Sequence, residues 1–195
     1  NIIMSTLHNN RPVPKGQDIA GTRVIPLTID AHTLQLAEKH CSQPAPLLSV
    51  KPFQPFWVGI VATGSEIYSG RIKDGFCSVV RKKITPFGGR ALGQVIVPDD
   101  PDVISREILS MVREGIDLIM VTGGMSVDPD DVTPSGIRAT GADVVFYGAP
   151  VLPGAMFMLA YLEHIPICGL PGCVMFNQTT VFDLVLPRLF AGERL

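Results

Sequence analysis

With 195 residues, 46% of them hydrophobic and 17% charged, and a formal charge of −2, the chain has material for one well-buried domain plus a smaller appendage. That balance excludes a disordered polymer, and the lack of a basic run or of aromatic-basic interleaving excludes nucleic acid as an expected partner. No apolar run approaches the roughly 20 residues of a membrane span, and no signal-peptide pattern opens the chain.

The first residue is Asn1, inside an apolar segment, so a piece of a longer protein with an earlier domain is expected. Residues 1–52 read as the β-rich remainder of that domain plus a linker. Short β-type runs, Ile2–Leu7 and Thr22–Ile29, are separated by turn chemistry at Asn9-Asn10-Arg11-Pro12 and Pro14-Lys15-Gly16. A helical pattern over Ala31–His40 follows, and Pro44, Pro46 and Pro52 punctuate the connector. Cys41, Cys77, Cys168 and Cys173 show no Cys-x-x-Cys spacing, and the four histidines are dispersed. Both facts point to a reducing, cytoplasmic setting and away from a zinc site.

Residues 53–195 read as strand alternating with helix. Strands are expected at Trp57–Ala62, Ala91–Val97, Ile116–Val121 and Val144–Tyr147, then a strand pair at Met156–Leu162 and Pro166–Gly169 turning at Glu163-His164. Helices are expected after Asp74, from Pro101 with Ile104, Ile108, Met111 and Val112 on its buried face, over Thr133–Thr140, and as one long buried helix over Val174–Phe190. The fold class is therefore α/β: a three-layer α/β/α domain with a mostly parallel sheet, preceded by a small β-rich segment.

Four predicted strand ends fall on one edge of that sheet: Thr63-Gly64-Ser65-Glu66, Pro98-Asp99-Asp100, Thr122–Asp131 and Leu170-Pro171-Gly172. Strands that end in glycine present bare backbone N–H groups where open α/β sheets bind ligands. Carboxylates that converge there need a cation or a positive dipole to stay ionised, and Mg²⁺ with phosphate oxygens satisfies that need. The bland alternative is a Gly-Gly turn at Gly123-Gly124 followed by a solvated acidic loop. Asp74 and Asp100 have a second reading as helix caps, Asp131 as an Asx-turn and Glu66 as a water-facing side chain. Neither Gly-x-Gly-x-x-Gly nor a Walker pattern occurs.

Assembled, these loops resemble the molybdopterin-binding domain of the molybdenum-cofactor biosynthesis proteins, over about residues 56–192. Ala62-Thr63-Gly64-Ser65-Glu66-Ile67 with Gly70-Arg71-Ile72 and Asp74, and Thr122-Gly123-Gly124-Met125-Ser126-Val127, are similar to the molybdotransferases. Val97-Pro98-Asp99-Asp100 and Gly169-Leu170-Pro171-Gly172 match the family's further strand ends, and Asp131-Val132-Thr133-Pro134 is closer to the adenylyltransferases. The molybdotransferases usually continue Leu-Pro-Gly with Asn-Pro, where this chain has Cys173-Val174, and carry Asp-x-Asn where it has Asp74-Gly75-Phe76.

The resemblance implies that Thr63, Gly64, Ser65, Thr122, Gly123, Gly124, Ser126, Pro171 and Gly172 hold molybdopterin. It further implies that Asp99 and Asp131, assisted by Glu66, carry the chemistry, with Asp131 and Glu66 on Mg²⁺. Expected partners are molybdopterin or its adenylate and molybdate, within a homo-oligomer (dimer or trimer). Three functions are compatible with it. One is adenylyl or molybdate transfer in cofactor assembly. Another is hydrolysis of a pyridine nucleotide or ADP-ribose, as in the competence-damage-inducible proteins, and the last is non-catalytic binding of the pterin.

Overall fold

The computed structural model describes every residue except Gln43 and Pro129, the latter within the predicted ligand loop. The chain divides into two compact units, Asn1–Pro52 and Phe53–Leu195. In the first, β1 (Ile2–Thr6) and β2 (Ala20–Val24) pair antiparallel with Ile2 opposite Val24. The run expected to extend to Ile29 thus leaves the strand after Val24. Helix α1 (Ala31–Cys41) starts where the Asp30 carboxylate accepts from the amide and hydroxyl of Thr33, at 2.8 and 2.6 Å. Those same bonds hold the Asp30 carboxyl below its usual range.

The second unit is built on a six-stranded sheet in the order β4-β3-β5-β8-β7-β6. Its strands are β3 (Trp57–Thr63), β4 (Arg90–Val97), β5 (Leu118–Thr122), β6 (Asp143–Tyr147), β7 (Met158–Leu162) and β8 (Ile165–Leu170). β4, β3, β5 and β8 are parallel, while β7 runs against β8 and β6 against β7. Only β7 is therefore reversed, and five of six strands end on the same edge. The expected hairpin at Glu163-His164 joins β7 to β8, with Glu163 at φ 57°.

Alternation along each strand divides the core in two, because successive side chains point to opposite faces. Ile60, Met120, Leu159, Cys168 and Leu170 pack with Val80 and Ile84 of α3 (Phe76–Ile84) and with Phe182, Leu186 and Phe190 of α6 (Val181–Phe190). Val61, Ile119, Val121, Ala160 and Ile167 pack on the other side with Ile104, Ile108 and Met111 of α4 (Pro101–Arg113) and Ile137 of α5 (Thr133–Ala139). Burial on both faces explains why β3 and β5 read as unbroken apolar runs. Val112, expected on the buried face of α4, lies only partly buried. Burial also pushes the Cys168 thiol far above its usual range, so that sulfur is a packing group.

Asp100 is the cap of α4, accepting from the amides of Asp102 at 2.9 Å and Val103 at 3.2 Å. Replacing it with alanine should lower stability by about 1 kcal/mol, read by denaturant unfolding, while ligand binding at the rim is retained. Asp74 likewise accepts from the amides of Phe76 and Cys77 at the start of α3, and also takes the Gln94 amide at 2.7 Å.

The long helix expected over Val174–Phe190 is in fact two pieces. Gly172–Met175 forms a single 3₁₀ turn, residues 176–180 are irregular, and α6 begins only at Val181. The polar run Asn177-Gln178-Thr179-Thr180 offers the backbone side-chain partners that compete with helix. Asn177 donates back to the Cys173 carbonyl at 2.9 Å. Thr180 and Asp183 close a capping box, with the Thr180 amide 2.8 Å from the Asp183 carboxylate. Lys83 then bridges α3 to this junction, reaching Asp183 at 2.6 Å and the Gln178 carbonyl at 3.0 Å.

Candidate functional site

The carboxyl ends of β4, β3, β5 and β8 lie side by side, so their loops form one rim. At its centre the loops after β3 and β5 are in direct contact. Gly123 adopts φ 93°, and a methyl group built on it would overlap the Thr63 carbonyl oxygen. No other residue type fits that approach. The buried hydroxyls of Thr63 and Thr133 are 3.1 Å apart, which ties the end of β3 to the start of α5. Gly124 sits against Thr133 and the Asp131 carboxylate.

Two of the three predicted acidic residues are fastened to a loop. Asp99, after β4, accepts from the Ser65 amide at 2.7 Å and the Ser65 hydroxyl at 3.0 Å, linking the β4 and β3 loops. Asp131 accepts from the Ser126 amide, closing the loop after β5 from within. Asp128 organises the tip of that loop by accepting from the Asp130 amide at 3.0 Å. The Asp131 carboxylate thus bonds back to Ser126 instead of forward to Thr133, so it does not form the expected Asx-turn, and it stands half-buried at the rim.

Thr122 is buried at the end of β5 beside Leu170, which brings Pro171-Gly172 next to the Gly123 turn. The Cβ position of Gly172 faces open space. Among the described residues no side chain accepts from the amides of Gly123, Gly124 or Gly172. Glu66 lies exposed in the short helix α2 (Ser65–Tyr68), and its carboxylate bonds to none of these groups. Among the described residues no three His, Cys, Asp or Glu side chains are grouped to hold a metal ion. Large apolar side chains stand exposed on three of these loops: Tyr68 after β3, Val127 after β5 and Phe176 after β8.

Two further residues, on α5 and at the end of β6, carry no sequence motif. The Arg138 guanidinium lies over the Tyr147 ring, 5.4 Å from its centroid. Burial raises the Tyr147 hydroxyl above its usual range, the Asp131 charge adds to that shift, and Arg138 opposes it. The only available signals were an arginine in the last turn of a helix and a tyrosine ending a strand, both ordinary surface features.

Residues 59–191 match the family model described as "Probable molybdopterin binding domain". The chain belongs to that family. A molybdopterin molybdenumtransferase of Haemophilus influenzae is 26% identical over 150 residues, an alignment covering 73% of this chain and 37% of that protein. A CinA-like protein of Desulfotalea psychrophila is 32% identical over 107 residues, covering 55% of this chain and 24% of the relative. The chain thus spans only about a quarter to two fifths of the length of these curated relatives. The molybdopterin biosynthesis enzyme MoaB of Thermus thermophilus superposes with a TM-score of 0.57 at 24% identity, covering 71% of this chain and 98% of that one. That likeness places the molybdopterin-binding domain in a three-layer α/β fold. Among the described residues, no helix is long and apolar enough to cross a membrane.

Proposed function

We propose that this molybdopterin-binding domain holds the phosphate of molybdopterin at the rim and takes part in transfer of an adenylyl or molybdate group during cofactor assembly. The observation that carries the reading is the contact of Gly123 with Thr63, flanked by two carboxylates that each accept from a loop amide. Glycine loops with no side chain on their amides suit an oxyanion. The exposed Tyr68 and Phe176 provide apolar surface for a planar heterocycle.

In this reading Thr63, Gly64, Ser65, Thr122, Gly123, Gly124, Ser126, Pro171 and Gly172 surround the ligand. Magnesium, when bound, would neutralise charge on phosphate or molybdate oxygens, and Asp131 with Glu66 would supply the protein's share of its oxygen ligands. Such ions keep waters and take substrate phosphate oxygens, so two carboxylates from the protein are enough in this reading. The chain's own residues position and orient the reacting groups, and no protein nucleophile is required. Asp99 acts from the β4 side by fixing the Ser65 amide. Assembly as a cytoplasmic dimer or trimer belongs to the same proposal.

The deciding experiment is incubation with adenylylated molybdopterin, Mg²⁺ and molybdate, following AMP release and pterin retention together. Release with retention is the expected result. Asp131→Asn should slow AMP release by about 100-fold or more while the melting temperature stays near wild type, and wild-type turnover in that variant would end the assignment.

The relationship to the CinA-like protein supports a second reading, hydrolysis of ADP-ribose or a pyridine nucleotide, which the Thr122–Thr133 loop also fits. Metal-dependent product release from ADP-ribose, with no pterin retained, would select it. Pterin retention without AMP release would select a non-catalytic binding module.

A further inference from the structure

Arg138 is placed unusually for a surface arginine. Side chains on a helix lean toward its N-terminus, so from the last turn of α5 Arg138 reaches back toward the rim. There it meets Tyr147, the last residue of β6, a strand parallel to β8 that ends on the same edge. Stacking holds the guanidinium in position without occupying its N–H groups. Among the described residues Arg138 makes no hydrogen bond and no ion pair, so its planar set of five donors is uncommitted. Asp131 and Arg138 act with opposite sign on the same Tyr147 hydroxyl, so an oxyanion repelled by the Asp131 charge finds its counter-charge in the guanidinium stacked on that ring. A guanidinium fork matches two oxygens of a tetrahedral anion at once.

We propose that Arg138, held over the ring of Tyr147, is a ligand-binding residue that takes a tetrahedral oxyanion beside the Asp131 turn, a class that includes phosphate and molybdate. This deepens the proposed function and rests on reading the same rim as a ligand site. Tyr147 is a positioning residue that keeps the guanidinium turned toward the rim.

The test is titration of the ¹⁵N-labelled chain with orthophosphate and, separately, with molybdate, following the arginine Nε–H resonances. The Arg138 signal is identified by its absence in Arg138→Gln. It should shift and saturate with at least one anion, and the arm that saturates names the source. Arg138→Gln should weaken that anion by about 10- to 100-fold with an unchanged melting temperature. Arg138→Lys should fall between, Tyr147→Phe should stay within about threefold, and Tyr147→Leu should weaken binding through loss of the stack. Equal binding in a folded Arg138→Gln variant, or a linear drift of every arginine without saturation, would overturn the proposal. Molybdopterin retention is measured in parallel. Lost retention with the Arg138 response intact removes the pterin reading and keeps the oxyanion residue. Retention with no Arg138 response does the reverse.

Discussion

Gly123→Ala is expected to destabilise the domain by at least about 3 kcal/mol, as measured by thermal or denaturant unfolding. Two effects add. The backbone at φ 93° is one that side chains resist, and the new methyl would overlap the Thr63 carbonyl oxygen and approach its hydroxyl to 2.6 Å. Neither neighbour is a flexible chain end. Thr63 closes a buried strand and is paired with Thr133, so relief requires moving β3 or the start of α5. Gly172→Ala provides the contrast, since its Cβ would meet nothing and its backbone is not left-handed. That variant should fold like wild type, which makes it the better probe of the ligand loop. Equal stability of the two variants would show that the β3 and β5 loops are not in contact.

Asp183→Ala is expected to cost about 3–5 kcal/mol, the scale for removing one partner of a mostly buried ion pair. For a chain of this size that is a fall of roughly 10 °C in melting temperature. The side chains of Lys83 and Asp183 are only 12% and 18% exposed, and the same carboxylate accepts from the Thr180 amide. Removing it leaves an ammonium with carbonyl partners only and opens the first turn of α6. Asp183→Asn should lose less, because an amide oxygen can still accept from Thr180. A loss below about 1 kcal/mol in Asp183→Ala would mean that water already solvates this junction.

Much of the fold was legible because its determinants are local. Apolar runs marked the strands, Pro101 and Thr133-Pro134 marked helix starts, and glycines with hydroxyl residues marked the rim. The longest misread element, a continuous helix from Val174, failed for a non-local reason. Residues 176–180 are held out of helix partly by Lys83, whose partner Asp183 lies 100 positions away. The site shows the same division. Its glycine turns were visible as strings, whereas the pairing of Asp99 with Ser65 spans 34 residues and follows only from the parallel pairing of β3 with β4. Arg138 and Tyr147 were silent because nothing in either residue's neighbourhood says that α5 and the end of β6 meet.

The seam between the β3 and β5 loops also bears on how much a ligand must organise on arrival. Thr63, Gly123 and Thr133 are fixed by steric fit and by each other, and Asp99 and Asp131 already hold the flanking amides. If this rim holds the ligand as proposed, the cradle is preorganised and little conformational entropy would be lost in shaping it. Under the proposed function, selectivity between otherwise similar ligands would then fall to the exposed side chains around that centre, Arg138, Glu66 and Phe176.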